Sequence, residues 1–266
     1  MAWALVTGAA SGIGRALADE AARAGYDLVI SGRLEARLAE VAEEIAAAHG
    51  VRVAIEVADL AEPFAGEALW RAAVKASGGR IDVLVNNAGL GRHGTFGSDE
   101  DGAALEAESL AVNIVAVTAL MDQAVRAMRA DGAGGRILNV ASTAAFMPGP
   151  NMAVYHASKA YVLSLSEAVR AEVRGSGIVV TALCPGATRT AFFDRAGISG
   201  GAKTRLMAMV PMPDAQSVAA AGWSGMMAGR ARVIPGILNK VFAFLPRISP
   251  RGMVAWLAGI FLTRMD

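Results

Sequence analysis

The sequence predicts an α/β protein in one domain: a doubly wound parallel sheet of about seven strands flanked by helices, with a helical C-terminal extension. Three observations carry this. Short runs rich in Val, Ile and Leu alternate with helical patterns along most of the 266 residues. The runs are apolar on both faces, as strands covered by helices on each side must be. A glycine cluster at Gly8, Gly12 and Gly14 stands where the first run gives way to the first helix.

Taken in order, the strands are predicted at residues 3–7, 28–31, 51–57, 81–86, 136–141, 178–183 and 232–234. Between them lie helices. Residues 34–48 carry Leu34, Leu38, Val41 and Ile45 at helical spacing, and Gly50 stands just past the end as a stop. Residues 106–129 and 153–174 form longer helices with apolar outer faces. Residues 214–228 follow Pro213 and begin with Asp214, a good helix cap. Strand–helix–strand repetition builds βαβ units with right-handed crossovers. Residues 1–235 then make the main body, and residues 236–266 an apolar helical extension of the same domain.

Composition narrows the function. With 25 Lys+Arg against 24 Asp+Glu, the chain lacks the basic excess that nucleic-acid binding draws on, and no nucleic-acid partner is expected. One cysteine, Cys184, cannot form an internal disulfide, and His49, His93 and His156 are too scattered to form a metal site. The opening MAWALVTGAA lacks a basic segment followed by an apolar one, so a cytoplasmic location is expected. Mean hydropathy is +0.42, and residues 233–262 form the most apolar tract. Pro235, Lys240, Pro246, Arg247, Pro250 and Arg251 interrupt it. Its longest clean run, 253–262, is half of the ~20 residues a transmembrane helix needs. No transmembrane span is expected, while peripheral membrane contact or a subunit contact stays open at this end.

The segment Thr7-Gly8-Ala9-Ala10-Ser11-Gly12-Ile13-Gly14 lies at the carboxyl end of the first strand, where such sheets bind ligands. Glycines there let backbone N–H groups approach a pyrophosphate, above the positive end of the helix dipole. At the end of the second strand, Ser31-Gly32-Arg33, the acid that would bond a ribose 2′-hydroxyl is missing. A guanidinium can instead grip a 2′-phosphate with paired hydrogen bonds. Arg33 therefore favours NADP(H), with NAD(H) possible; the plainer reading is a solvated arginine opening a surface helix.

Tyr155 and Lys159 stand four residues apart in a helical pattern and share a face. A free tyrosine titrates near pH ~10, and a nearby ammonium favours the phenolate. Tyr155 thus becomes a candidate general acid or base. Ser142 ends the fifth strand, where a hydroxyl can donate to a substrate oxygen. The competing readings are a surface Tyr–Lys pair and a turn serine.

TGxxxGIG at 7–14, NNAG at 86–89, Asn113, Ser142, YxASK at 155–159, and Pro185-Gly186 followed by Thr190 occur in that order. Together they strongly resemble the short-chain dehydrogenase/reductase family over residues 1–235. The resemblance implies a Rossmann-like fold, with Tyr155 as acid/base, Lys159 lowering its pKa and holding the nicotinamide ribose, and Ser142 positioning the substrate carbonyl. It implies that Asn113 kinks its helix and holds a proton-relaying water through its backbone. Gly8, Ser11, Gly12, Ile13 and Gly14 would cradle the pyrophosphate. Asp59 and Leu60 would meet the adenine, and the run Asn86, Asn87, Ala88 and Gly89 would line the adenosine ribose while bracing the central sheet. Pro185, Gly186, Thr188 and Thr190 would meet the nicotinamide end. Hydride transfer from the pro-S face and a homodimer or homotetramer are likewise implied. One departure is Ser11, which stands where many NADP-preferring relatives carry a basic residue.

The same resemblance implies that residues 191–213 cover the substrate. They carry Phe192, Phe193, Leu206, Met207, Met209, Val210 and Met212, with Arg189 just ahead of them and Arg195, Lys203 and Arg205 among them. Adaptable apolar side chains favour a hydrophobic or aromatic ketone over a sugar. His93 and Phe96 either face the same pocket or lie on an exposed loop. Three functions follow: a carbonyl reductase acting on small ketones or aldehydes, a membrane-surface alcohol dehydrogenase for a lipophilic substrate, and a non-catalytic cofactor-sensing regulator.

Overall fold

The protein is described from a computed structural model that covers residues 2–98, 100–197, 203–204 and 212–265. Its strands are β1 (Trp3–Thr7), β2 (Asp27–Gly32), β3 (Val53–Val57), β4 (Val83–Asn86), β5 (Gly135–Val140), β6 (Ile178–Leu183), β7 (Lys203–Thr204), β8 (Arg232–Val233) and β9 (Arg264–Met265). Its helices are α1 (Gly12–Arg23), α2 (Glu35–His49), α3 (Ala65–Ala76), α4 (Gly102–Leu110), α5 (Val117–Asp131), α6 (Ala153–Glu172), α7 (Phe192–Arg195), α8 (Ala215–Met227), α9 (Ile237–Phe244) and α10 (Arg251–Leu262). Seven strands form one sheet in the order β3-β2-β1-β4-β5-β6-β8, and β7 and β9 form a separate pair. Every pairing in the large sheet is parallel.

Alternation along the strands feeds two cores. Ala4, Val6, Leu28 and Ile30 pack with Leu17, Leu38, Trp223 and Met226 from α1, α2 and α8. Trp3, Leu5, Val29 and Leu84 face the other side, toward Trp70, Leu120, Met121 and Met128 from α3 and α5. Successive side chains point to opposite faces, so a strand covered on both sides must be apolar throughout.

Boundaries moved where a polar side chain had other work. The run expected at 51–57 starts pairing at Val53, because Arg52 turns to the Asp27 carboxylate, donating from its backbone N–H at 2.8 Å and from Nη2 at 2.6 Å. The run at 81–86 starts at Val83, since the Asp82 carboxylate accepts from the Trp3 N–H. Gly50 ends α2 with φ 68°, a left-handed conformation costly for any residue with a Cβ. Asp214 caps α8, accepting from the Ser217 N–H at 2.7 Å.

The helix expected at 106–129 runs from Gly102 to Asp131 and widens into a π turn at Ala111–Ala116. By length and composition it is apolar enough to cross a membrane. On its inner side Leu120, Met121, Ala124 and Met128 are buried against the sheet and α3. Leu105, Leu110 and Val115 remain exposed on its outer side, with Tyr161 of α6.

Sheet order reverses between β1 and β4, so the loops after these two strands part and leave a crevice at their carboxyl ends. The C-terminal extension folds back to this end. Asn239 of α9 packs on Gly186, Gly259 of α10 lies on Pro150, and His93 Nε2 bonds the Leu262 carbonyl at 2.9 Å.

Candidate active site

The crevice opens into a cavity of about 800 Å³, a size typical of small-molecule sites. Its first half is built by the turn after β1. Gly8, Ser11, Gly12, Ile13 and Gly14 line it. Gly14 must be glycine, because a Cβ there would stand 2.2 Å from the Gly8 carbonyl oxygen. Ser11 makes no side-chain cap to α1, and no acid stands in the first helical turn. These amides and the helix dipole therefore suit an anion, which matches a dinucleotide pyrophosphate.

Beyond the turn, Arg33, Asp59 and Leu60 line the same half. The Arg33 guanidinium, half exposed, hydrogen-bonds Glu108 at 3.0 Å and lies 3.9 Å from the Asp59 carboxylate. Glu108 comes from α4, and nothing local in the sequence announces it.

Of the run expected to line the ribose and brace the sheet, Asn86 does only the second: it is 2 % exposed and absent from the cavity wall. Its side chain points into the sheet, where Nδ2 donates to Asn139 Oδ1 at 2.9 Å, and Asn139 Nδ2 donates to Ser166 Oγ at 2.9 Å. Asn87 takes its place at the wall beside Ala88 and Gly89. Asn87 Nδ2 donates to the Thr7 and Gly8 carbonyls at 2.9 and 3.2 Å, which ties the β4 loop to the glycine turn.

Ser142, Tyr155 and Lys159 meet on the cavity wall at the carboxyl end of β5. Ser142 Oγ accepts from the Ala144 N–H at 3.1 Å and donates to the Pro185 carbonyl at 3.4 Å. Lys159 Nζ donates to the Val140 carbonyl at 2.9 Å and lies 5.9 Å from the Tyr155 ring centre. Burial pulls the lysine down to about 8, against a smaller opposing effect of Cys184. Burial pushes the Tyr155 phenol above its ordinary value, and only the hydrogen bond with Ser142 works the other way.

Asn113 is fully buried in the π turn and off the cavity wall. Its side chain is consumed: Oδ1 accepts from the Leu90 N–H, while Nδ2 donates to the Leu90 carbonyl and to Ser158 Oγ. It thereby clamps the loop after β4 to α6. His156 lines the cavity, and burial holds its imidazole below the usual value, with Nδ1 on the Met147 carbonyl.

Pro185, Gly186, Thr188 and Thr190 follow β6 along the wall. Phe192 lies with its ring centre 5.2 Å from that of Tyr155, tilted by 45°, and lines the cavity with Phe193. A Cβ at Gly91 would come within 2.7 Å of the Phe192 ring, so that loop lies flat against the aromatic pair. Leu206, Met207, Met209, Val210 and Arg205 lie outside the described residues. Phe96 is 73 % exposed, and His93 serves the bond to Leu262 rather than the cavity wall. The sequence reading missed Met147, Met152, Phe242, Leu257 and Phe261, which also line the cavity. The last three belong to the extension, whose apolarity was legible but whose destination was not. Among the described residues, no group of three or more His, Cys, Asp or Glu side chains could hold a metal ion.

The family model described as short chain dehydrogenase matches residues 2–197. Probable oxidoreductase EphD of Mycobacterium tuberculosis is 39 % identical over 185 residues, 70 % of this chain; the match spans only 31 % of that protein's length. A short-chain dehydrogenase from Sphingobium yanoikuyae, solved with NADPH, is 32 % identical with a TM-score of 0.80 and covers 89 % of each chain. A bulky-bulky ketone specific alcohol dehydrogenase from Comamonas testosteroni is 27 % identical with a TM-score of 0.77, covering 93 % of this chain and 92 % of its own.

Proposed function

This chain belongs to the short-chain dehydrogenase family, and from that premise we propose an NADP(H)-dependent carbonyl reductase for small hydrophobic or aromatic ketones and aldehydes. The observation that carries the reading is the convergence of Ser142, Tyr155 and Lys159 on one wall of the cavity. The NADPH carried by the Sphingobium relative supports the cofactor. The absence of an acid at the end of β2, with Arg33 in its place, favours the phosphorylated form.

A bound nicotinamide supplies the hydride, and the reverse path takes one up from an alcohol. The chain's own residues handle orientation and the proton. Ser142 Oγ donates to the substrate oxygen and stabilises charge gathering there. The Tyr155 hydroxyl releases its proton to that oxygen, so the carbonyl becomes an alcohol and the phenolate is left to be reprotonated. Lys159 holds its charge beside that phenolate and binds ribose hydroxyls. The apolar wall of Phe192, Phe193, Phe242 and Phe261 excludes water and receives the substrate's hydrocarbon. The aromatic wall and the ketone-directed Comamonas relative support a hydrophobic or aromatic ketone over a sugar.

The test is NADPH consumption over a panel of aldehydes and ketones. Turnover with hydrophobic or aromatic ketones is expected, and Tyr155→Phe should lower it by about 10²–10⁴-fold while NADPH still binds. An inactive panel would favour the cofactor-sensing regulator, and full activity in the variant would overturn the role of Tyr155.

A further inference from the structure

The C-terminal extension is apolar on two sides. Its inner side chains, among them Phe242, Val254 and Phe261, face the cavity. Its outer side exposes Ile237, Val241, Phe244, Ile248, Met253 and Trp256, at 44–81 % of their surface. Six large apolar side chains exposed within residues 237–256 mark a contact surface.

Charge identifies the partner. Every ionisable residue from 232 to 265 is basic: Arg232, Lys240, Arg247, Arg251 and Arg264. Arg232 pairs with Glu167 at 3.1 Å. Lys240, Arg247 and Arg251 are exposed and pair with no carboxylate among the described residues. Beside the patch, a groove of about 320 Å³ is lined by Arg232, Lys240 and Arg247 together with Phe146 and Phe244, and by no acid. Such a groove matches a phosphate headgroup, and the apolar residues around it match the acyl boundary beneath. Trp256 adds the aromatic residue that favours the membrane–water interface. A second copy of this chain fits worse. A two-fold contact would set these three unpaired cations against their own images.

We propose that residues 237–262 dock the protein on an anionic phospholipid surface, with the apolar wall of the cavity behind the docking face. The docking stands independently of the reaction at Tyr155.

The experiment is co-sedimentation with vesicles of phosphatidylcholine alone or mixed with phosphatidylglycerol, alongside intrinsic fluorescence. Trp3, Trp70 and Trp223 are at most 6 % exposed, whereas Trp256 is 66 % exposed, so a blue shift on vesicle addition reports Trp256. Pelleting with the mixed vesicles, weakened by salt, is expected together with that shift. Reversing three charges in Lys240→Glu/Arg247→Glu/Arg251→Glu should lower vesicle affinity by about a hundredfold or more. Trp256→Phe should still pellet without the shift. Circular dichroism and NADPH binding establish that each variant is folded. Wild-type protein that stays in the supernatant with mixed vesicles would overturn the proposal. So would a charge-reversal variant that pellets as well as wild type, or one that changes oligomeric state instead.

Discussion

Arg33 shows how one side chain can be read correctly by type and incompletely by context. Its place at the end of β2 and its lack of a local acid were visible in the sequence. Its bond to Glu108, 75 residues away, was not. A 2′-phosphate at this position would add charge-assisted bonds worth about 1.5–3 kcal/mol. Arg33→Ala should therefore raise the KM for NADPH by about ten- to a hundredfold and leave that for NADH nearly unchanged, as steady-state kinetics with both cofactors would reveal. Tyr155 carries a second residue-scale prediction. Burial raises its phenol, so the hydroxyl stays protonated through neutral pH and is ready to act as an acid. Ketone reduction should be flat across that range, whereas alcohol oxidation, which needs the phenolate, should climb with pH. Above about 8 the Lys159 ammonium loses its proton, and cofactor affinity should weaken there. A pH-independent oxidation rate would contradict the assignment.

At the scale of elements, the site depends on how α6 is held. The helix carries Tyr155 and Lys159, and two buried polar connections fix it. One runs from Asn86 through Asn139 to Ser166, joining β4 and β5 to the middle of the helix. The other runs from Leu90 through Asn113 to Ser158, joining the loop after β4 to its first turns. Asn139→Ala removes partners from Asn86 and Ser166 in the sheet centre and should cost about 1–3 kcal/mol in urea unfolding. Unchanged stability would mean that the chain of amides carries no load. The motif NNAG was legible as a unit, but its two asparagines have opposite jobs. Strand alternation turns Asn86 inward and leaves Asn87, beyond the pairing, to brace the glycine turn.

At the scale of the whole molecule, two groups of exposed apolar side chains stand out among the described residues. One is the C-terminal face already assigned to lipid. The other lies on the long helix and α6, where Leu105, Leu110, Val115 and Tyr161 are exposed. A homodimer or homotetramer, expected from the family resemblance, would use these residues. Sedimentation velocity should show an oligomer, and Val115→Glu should shift it toward monomer without loss of secondary structure. A monomeric wild-type profile would refute the contact.

The sequence by itself determined the sheet, the glycine turn, and the chemical identity of Ser142, Tyr155 and Lys159. These rest on local periodicity and on spacings of a few residues, which a chain carries in one dimension. Tertiary structure alone decided that Glu108 reaches Arg33, that Asn86 faces the core, and that burial raises the Tyr155 phenol. It alone brought the last thirty residues back over the cavity, so that an apolar tract read as a tail became a wall of the site. Each of these depends on distance through space or on exclusion of water, and neither quantity exists until the chain has folded.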